Sequence, residues 1–207
     1  FKGFFMMIND ESTCLNTYKE FYSERFSDKF KEECGVFGIY SLHNKGECEA
    51  EEKQAVKKVG TMTYYGLMAL QHRGEESCGI TVSNGQDLVS YKGMGLVSDV
   101  FNEAILKKFS GFASIGHVRY STTGKPTIEN AQPLVVDSKV GKIAIAHNGN
   151  LVNANILKEL MEDAGVIFQT DSDSEVLLNL ISRNLSKGLE KAILDGISAV
   201  KGSFAIV

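Results

Sequence analysis

Apolar positions along this chain change period repeatedly, and each change marks a predicted element. Residues 35 to 40, Gly-Val-Phe-Gly-Ile-Tyr, form a short apolar, β-prone run that reads as a strand. Residues 52 to 71 are helix-prone and close on Leu-Met-Ala-Leu-Gln-His-Arg, with Gly74 as the stop. Residues 78 to 83 and 87 to 92 flank Asn84-Gly85, a strong hairpin signal. The spacing of Val100, Phe101, Ile105, Leu106 and Phe109 predicts a helix over 100 to 109, and strands are predicted at 112 to 119, 133 to 137 and 142 to 147. A helix from Ala154 to Ala164 follows Asn153, a good cap, and ends at Gly165. Ser172-Asp-Ser-Glu175 fits a capping box for a helix with Val176, Leu177, Leu180 and Ile181 on its core face. A last helix covers 188 to 199, and Gly202 to Val207 reads as a strand. Antiparallel hairpins combined with helix pairs predict an α+β layered sandwich.

Residues 1 to 33 break this rhythm. Tyr18, Tyr22, Phe26 and Phe30 recur every fourth position among charged neighbours, the pattern of a short amphipathic helix. The opening Phe-Lys-Gly-Phe-Phe-Met-Met-Ile is too short for a signal peptide and lacks a small-residue cleavage site. Met6 or Met7 is the expected start, with residues 1 to 5 an upstream extension. The apolar share of 43% and charged share of 23% are those of a soluble globular protein. A net charge of -4 argues against nucleic acid or an anionic membrane as partner. No apolar run approaches a membrane span. Four cysteines and four histidines are scattered, so neither a disulfide framework nor a zinc site is signalled, and a cytoplasmic protein with reduced thiols is expected.

Candidate chemistry begins at Cys34, which opens an apolar strand directly after Glu32 and Glu33. A core cysteine is the bland reading. Cutting before Cys34 would instead place a thiol and an α-amine on one residue, and an α-amine titrating near ~8 can serve its own nucleophile as general base. Arg119 ends a strand and runs into the hydroxyl-rich loop Tyr120-Ser-Thr-Thr123. There a guanidinium could hold a carboxylate bidentately, with Thr122 adding a hydroxyl and Tyr120 gating. Asn148-Gly149 is either a hairpin turn or an amide and a glycine N–H forming an oxyanion hole. Asp171, Asp173 and Glu175 at a helix start satisfy the macrodipole, or one of them binds an ammonium; a metal site lacks an evident third ligand. Taken jointly, the pieces describe a zwitterion site. Arg119 takes an α-carboxylate, Asp173 an α-ammonium, Cys34 attacks a side-chain carbonyl, and Asn148 with Gly149 stabilises the oxyanion. Glutamine is the natural substrate for that arrangement.

Seven segments in order, ECGVFGIY, YYGLMALQHRG, GLVSDVF, GHVRYSTTG, AHNGNLVN, TDSDSEVL and KGSFAIV, carry a resemblance from Glu33 to the last residue. The chain resembles the N-terminal glutaminase domain of class II glutamine amidotransferases, within the N-terminal-nucleophile hydrolases, in the branch that aminates phosphoribosyl pyrophosphate. The resemblance implies a four-layer αββα sandwich, with Cys34 as nucleophile and Asn148 and Gly149 as oxyanion hole. Arg119 and Thr122 would lie on the glutamine carboxylate, Asp173 on its amine, and Tyr120 in a closing loop. It implies that residues 1 to 33 are a propeptide removed by self-cleavage and that residues 34 to 207 are an incomplete glutaminase domain. Glutamine would yield glutamate and ammonia through a Cys34 thioester. Ammonia would then meet phosphoribosyl pyrophosphate on a separate phosphoribosyltransferase domain to give 5-phosphoribosylamine, the first step of purine synthesis. No cofactor is expected on this chain. Magnesium, and in some relatives an iron–sulfur cluster, would belong to that further domain, and the family forms homo-oligomers. Two alternatives stand beside this reading: the glutaminase domain of a hexosamine-6-phosphate synthase, and a non-catalytic relative of the same fold.

Overall fold

The computed structural model describes residues 4 to 7 as backbone, and residues 34 to 41, 58 to 120, 126 to 138 and 140 to 207. The expected helix around Tyr18 to Phe30, the first part of the 52-to-71 helix, and Thr122 lie outside the described residues. Strands β1 (Phe4–Met7), β2 (Gly35–Tyr40), β3 (Ser77–Ser83), β4 (Leu88–Met94) and β5 (Ala113–Arg119) form one sheet in the order β1-β2-β5-β3-β4. All its pairings are antiparallel except β1 with β2. Strand β6 (Leu134–Ser138) pairs with β7 (Gly141–Ile145), and β8 (His147–Leu151) with β9 (Gly202–Ile206), both antiparallel. Helix α1 (Val59–Leu70) covers the outer face of the five-stranded sheet. Helices α4 (Ala154–Asp163), α5 (Asp173–Asn184) and α6 (Leu189–Ala199) cover the two hairpins. The result is the helix–sheet–sheet–helix order of the expected four-layer α+β sandwich.

Strand alternation assigns the faces. Phe37, Ile39, Cys78, Ile80, Val82 and Val118 turn toward α1 and bury there with Val59 and Leu67. On that face Gly66 in α1 gives way to the Phe37 ring: a Cβ there would sit 2.5 Å from it. The second core lies beneath α4 to α6 and gathers Leu134, Ile145, Leu151, Val176, Leu177, Leu178 and Ile181. Between the sheets the chemistry is polar. Ser77, Thr81, His117 and Arg119 point into that middle layer, all of them buried. The hairpin at Asn84-Gly85 forms as the sequence predicts, with Gly85 at φ 88° and the Asn84 Oδ1 accepting from the Gln86 and Asp87 amides at 2.9 and 2.8 Å.

Three local expectations change. The helix over 100 to 109 is two single turns, α2 (Val97–Val100) and α3 (Glu103–Leu106), broken at Phe101 and Asn102. Asn102 causes the break: its side chain accepts from the Ile105 amide at 3.0 Å, so it caps a new turn instead of continuing the old one. Asn153 does not cap α4; its side chain spans to the Ala199 carbonyl and the Lys201 amide. At α5, Ser172 caps by accepting from the Ser174 amide, but Glu175 does not close the box. Its carboxylate accepts from the amides of Gln169 and Thr170 and from the Thr170 hydroxyl, fastening the preceding loop.

Leu67 is fully buried between α1 and the sheet, whereas Leu160 on α4 is exposed. Leu67→Ala should therefore cost about 2–5 kcal/mol in denaturant unfolding. Leu160→Ala should stay within about 0.5 kcal/mol of the parent.

Candidate active site

Cys34 stands at the head of β2 in a left-handed backbone conformation, φ 61°, alone among the described non-glycine residues. That conformation costs a non-glycine residue about 1 kcal/mol or more and persists where surrounding contacts over-determine it. Arg73 supplies those contacts. Its carbonyl accepts from the Cys34 amide at 3.0 Å, and its Nε donates to the Cys34 carbonyl at 2.7 Å. Gly74 lets this turn press against the end of β5, since a Cβ there would lie 2.6 Å from the Arg119 backbone. The half-buried Cys34 thiol lies 3.3 Å from the Tyr120 carbonyl oxygen, and the Tyr120 amide points at the sulfur from 3.4 Å. The other described thiol is different in kind: Cys78 is sealed in the core, where burial, with Asp99 nearby, pushes its pKa up to about 12. A thiol held protonated in that way is inert.

Across the middle layer, β8 brings the Asn148 side chain to Cys34, donating to its carbonyl oxygen at 3.3 Å. Asn148 and Gly149 lie inside a strand, paired with Ala205 and Phe204, which removes the hairpin-turn alternative. Ala146 and Val207 exchange both backbone bonds at 2.9 Å. Antiparallel alternation then turns the amides of residues 147, 149 and 151 away from β9. Two of these have side-chain acceptors: the His147 amide donates to Gln132 Oε1 at 2.8 Å, and the Leu151 amide to Asp173 Oδ2 at 2.9 Å. The Gly149 amide lies between them on the same edge, beside the Asn148 amide group. Gly149 itself has φ 151°, and a Cβ there would run into the Ser203 carbonyl.

Arg119 is buried at the end of β5 and forms an ion pair with Glu76. It is therefore not a surface arginine beside a turn. Tyr120 next to it is exposed. Asp173 begins α5. Burial works against its ionisation, but the His147 ring and the amides of Leu151 and Ser174 outweigh it and hold the carboxyl below its usual range. The Asp171 backbone amide donates to Asn130 Oδ1 at 3.1 Å. Among the described residues, no cluster of three or more histidine, cysteine or acidic side chains is arranged for a metal.

The sequence reading did not single out four residues that assemble this site: Arg73, Gln132, His147 and Ser174. Gln132 stands in for a strand on the open edge of β8, accepting from the His147 amide and donating to its carbonyl at 3.3 Å and to Ser174 Oγ at 3.1 Å. His117 also lies on the His147 carbonyl, Nε2 to oxygen 3.0 Å. Only the Arg-Gly pair before β3 carried a readable signal, a cation fixed beside a glycine at a helix end.

A left-handed cysteine facing an amide donor and an open-edge glycine amide, in a four-layer sandwich, has the architecture of the N-terminal-nucleophile hydrolase fold. Residues 117 to 207 match the glutamine amidotransferase domain family. The chain is 46% identical over 176 residues to the amidophosphoribosyltransferase of Methanocaldococcus jannaschii, covering 84% of this chain and 35% of that protein. With the Bacillus subtilis amidophosphoribosyltransferase it shares 46% over 177 residues, 85% of this chain and 34% of the relative. The solved B. subtilis glutamine phosphoribosylpyrophosphate amidotransferase, complexed with ADP and GMP, matches with a TM-score of 0.66 at 47% identity, over 71% of this chain and 32% of that one. The chain thus belongs to the glutamine amidotransferase domain family, in its amidophosphoribosyltransferase branch, and spans about a third of the length of these relatives. No helix among the described residues is long and apolar enough to cross a membrane.

His117 makes the site acid-sensitive. Burial, the largest influence, together with the neighbouring His147 and Arg119, drives its pKa from 6.5 down to about 3 despite the bond to the His147 carbonyl. Between those values the unfolded chain binds one more proton than the folded one. Stability should fall by up to about 1.4 kcal/mol per pH unit as pH drops through this window. Asp173, held low, adds its own loss further down, below its ordinary 3.8. Urea unfolding from pH 7 to 4 should show this slope, and His117→Gln should flatten it.

Proposed function

We propose that this domain hydrolyses glutamine and that, in the whole protein, the released ammonia aminates phosphoribosyl pyrophosphate to 5-phosphoribosylamine. The observation that carries the reading is the meeting of Cys34 at the head of β2 with β8, where the Asn148 amide donates to the Cys34 carbonyl and the Gly149 N–H is turned to the open edge of the strand. That arrangement pairs a nucleophile with donors for a developing oxyanion. The Cys34 sulfur attacks the side-chain carbonyl carbon of glutamine, and the C–O π electrons collect on the oxygen facing Asn148 and Gly149. Collapse breaks the C–N bond, the nitrogen leaves as ammonia with the thiol proton, and water then hydrolyses the thioester to glutamate and free thiol.

Proton transfer is assigned to the α-amine that removal of residues 1 to 33 would free on Cys34, placed by the Arg73 carbonyl that now accepts from this nitrogen. Arg119 is given the substrate carboxylate, with Thr122 and Tyr120 in the adjoining loop, and Asp173 the substrate ammonium. The ionised state favoured at Asp173 suits that role. A reducing cytoplasmic compartment suits a catalytic thiol and the widely spaced cysteines. The amidophosphoribosyltransferase relatives favour this acceptor over a hexosamine phosphate.

Ammonia release from glutamine by the mature full-length protein tests the proposal. Cys34→Ala should abolish it, Asn148→Ala should lower kcat by about 100- to 1,000-fold, and Asp173→Asn should act mainly on KM. Turnover surviving in Cys34→Ala would overturn the assignment.

A further inference from the structure

His147 has no part in the chemistry above, yet it is buried in the middle of the site. Its ring Nδ1 lies 2.9 Å from Ser174 Oγ and 3.6 Å from Asp173 Oδ1. Ser174 Oγ in turn lies 3.5 Å from the same Asp173 oxygen and accepts from Gln132 Nε2 at 3.1 Å. The other ring nitrogen, Nε2, is buried without a hydrogen-bond partner among the described residues. A buried N–H without an acceptor costs more than an unfilled lone pair, which places the proton on Nδ1. Nδ1 then donates to Ser174 Oγ, and the serine hydroxyl, already accepting, is left to donate to Asp173. The titratable groups packed around the ring are Asp173 on α5 and His117 on β5, the latter neutral under burial.

From this geometry we propose that His147 is a positioning residue for the ammonium end of the glutamine site, acting through Ser174 to fix the Asp173 carboxylate. Asp173 Oδ2 is anchored by the Leu151 amide, and the His147–Ser174 pair anchors Oδ1. Together these contacts leave the carboxylate one orientation. The ring is not needed to hold β8, whose His147 amide and carbonyl are secured by Gln132 and His117. Loss of the ring should therefore damage recognition of the amine more than the acyl-transfer step.

The inference rests on the glutaminase reading, and two readouts separate its failure from the failure of that reading. The first compares glutamine with glutaramate, the same amide without the α-amine, as substrates of the mature full-length protein. His147→Ala and Ser174→Ala should lower kcat/KM for glutamine by about 10- to 100-fold, the range for removing a residue that orients a binding group. Both should leave the slower glutaramate reaction within about threefold. His147→Asn, whose amide can donate from the Nδ1 position, should recover most of the glutamine loss. Equal losses on both substrates, or none on either, would overturn the proposal. The second readout needs no turnover: carbon NMR titration of the Asp173 carboxyl should move toward its ordinary 3.8 in His147→Ala and stay low in His147→Asn. An unmoved Asp173 titration in His147→Ala would sink the proposal even if the protein released no ammonia.

Discussion

The β8 wall of the site depends on the phase of one ladder. Because Ala146 and Val207 form the doubly bonded pair of β8 and β9, every second amide of β8 faces away from its partner strand. Residues 147, 149 and 151 therefore offer three N–H groups in a row along the open edge of β8. A one-residue slip of this pairing would turn them all inward to β9 and erase the site. Gln132 takes the first and Asp173 the third. What remains between them is a donor position whose neighbours are already satisfied, the form of preorganisation that stabilises charge without rearrangement.

The opposite wall is held by a different device. Cys34 keeps a backbone conformation that its side chain disfavours because Arg73 grips both its amide and its carbonyl. Arg73 belongs to the turn that follows α1, and α1 is locked to the sheet by the core around Leu67 and Phe37. Cys34 is thus referenced to one core, and Asn148 and Gly149 to the other. Side chains rather than strands bridge the gap: Asn148 to Cys34, and His117 and Gln132 to His147. A polar middle layer of this kind is costly unless its groups are paired, which is why so many of its buried side chains bond to main-chain atoms.

Much of this was legible in the residues. Strong local signals survived folding: Asn84-Gly85 made its hairpin, the Ser172 cap formed, and the apolar stripe at Val176, Leu177 and Ile181 became core. The misses share a cause. Asn102, Asn153 and Glu175 each have a side chain able to bond locally or at a distance, and only the folded chain decides which. Asn148-Gly149 read equally as a turn or an oxyanion pair because the dipeptide suits both, and the partner that removes the turn, β9, lies over fifty residues away in sequence. Gln132, His147 and Ser174 were invisible for the same reason: their partners are distant in the chain, and no local period marks them.

The most direct test of the account is intact mass spectrometry of the full-length protein treated with an electrophilic diazoketone analogue of glutamine. The account predicts a chain that begins at Cys34 and gains a single adduct on that residue, with Cys78 unmodified and labelling suppressed by glutamine. An adduct that spares Cys34, or one that glutamine does not compete away, would contradict it.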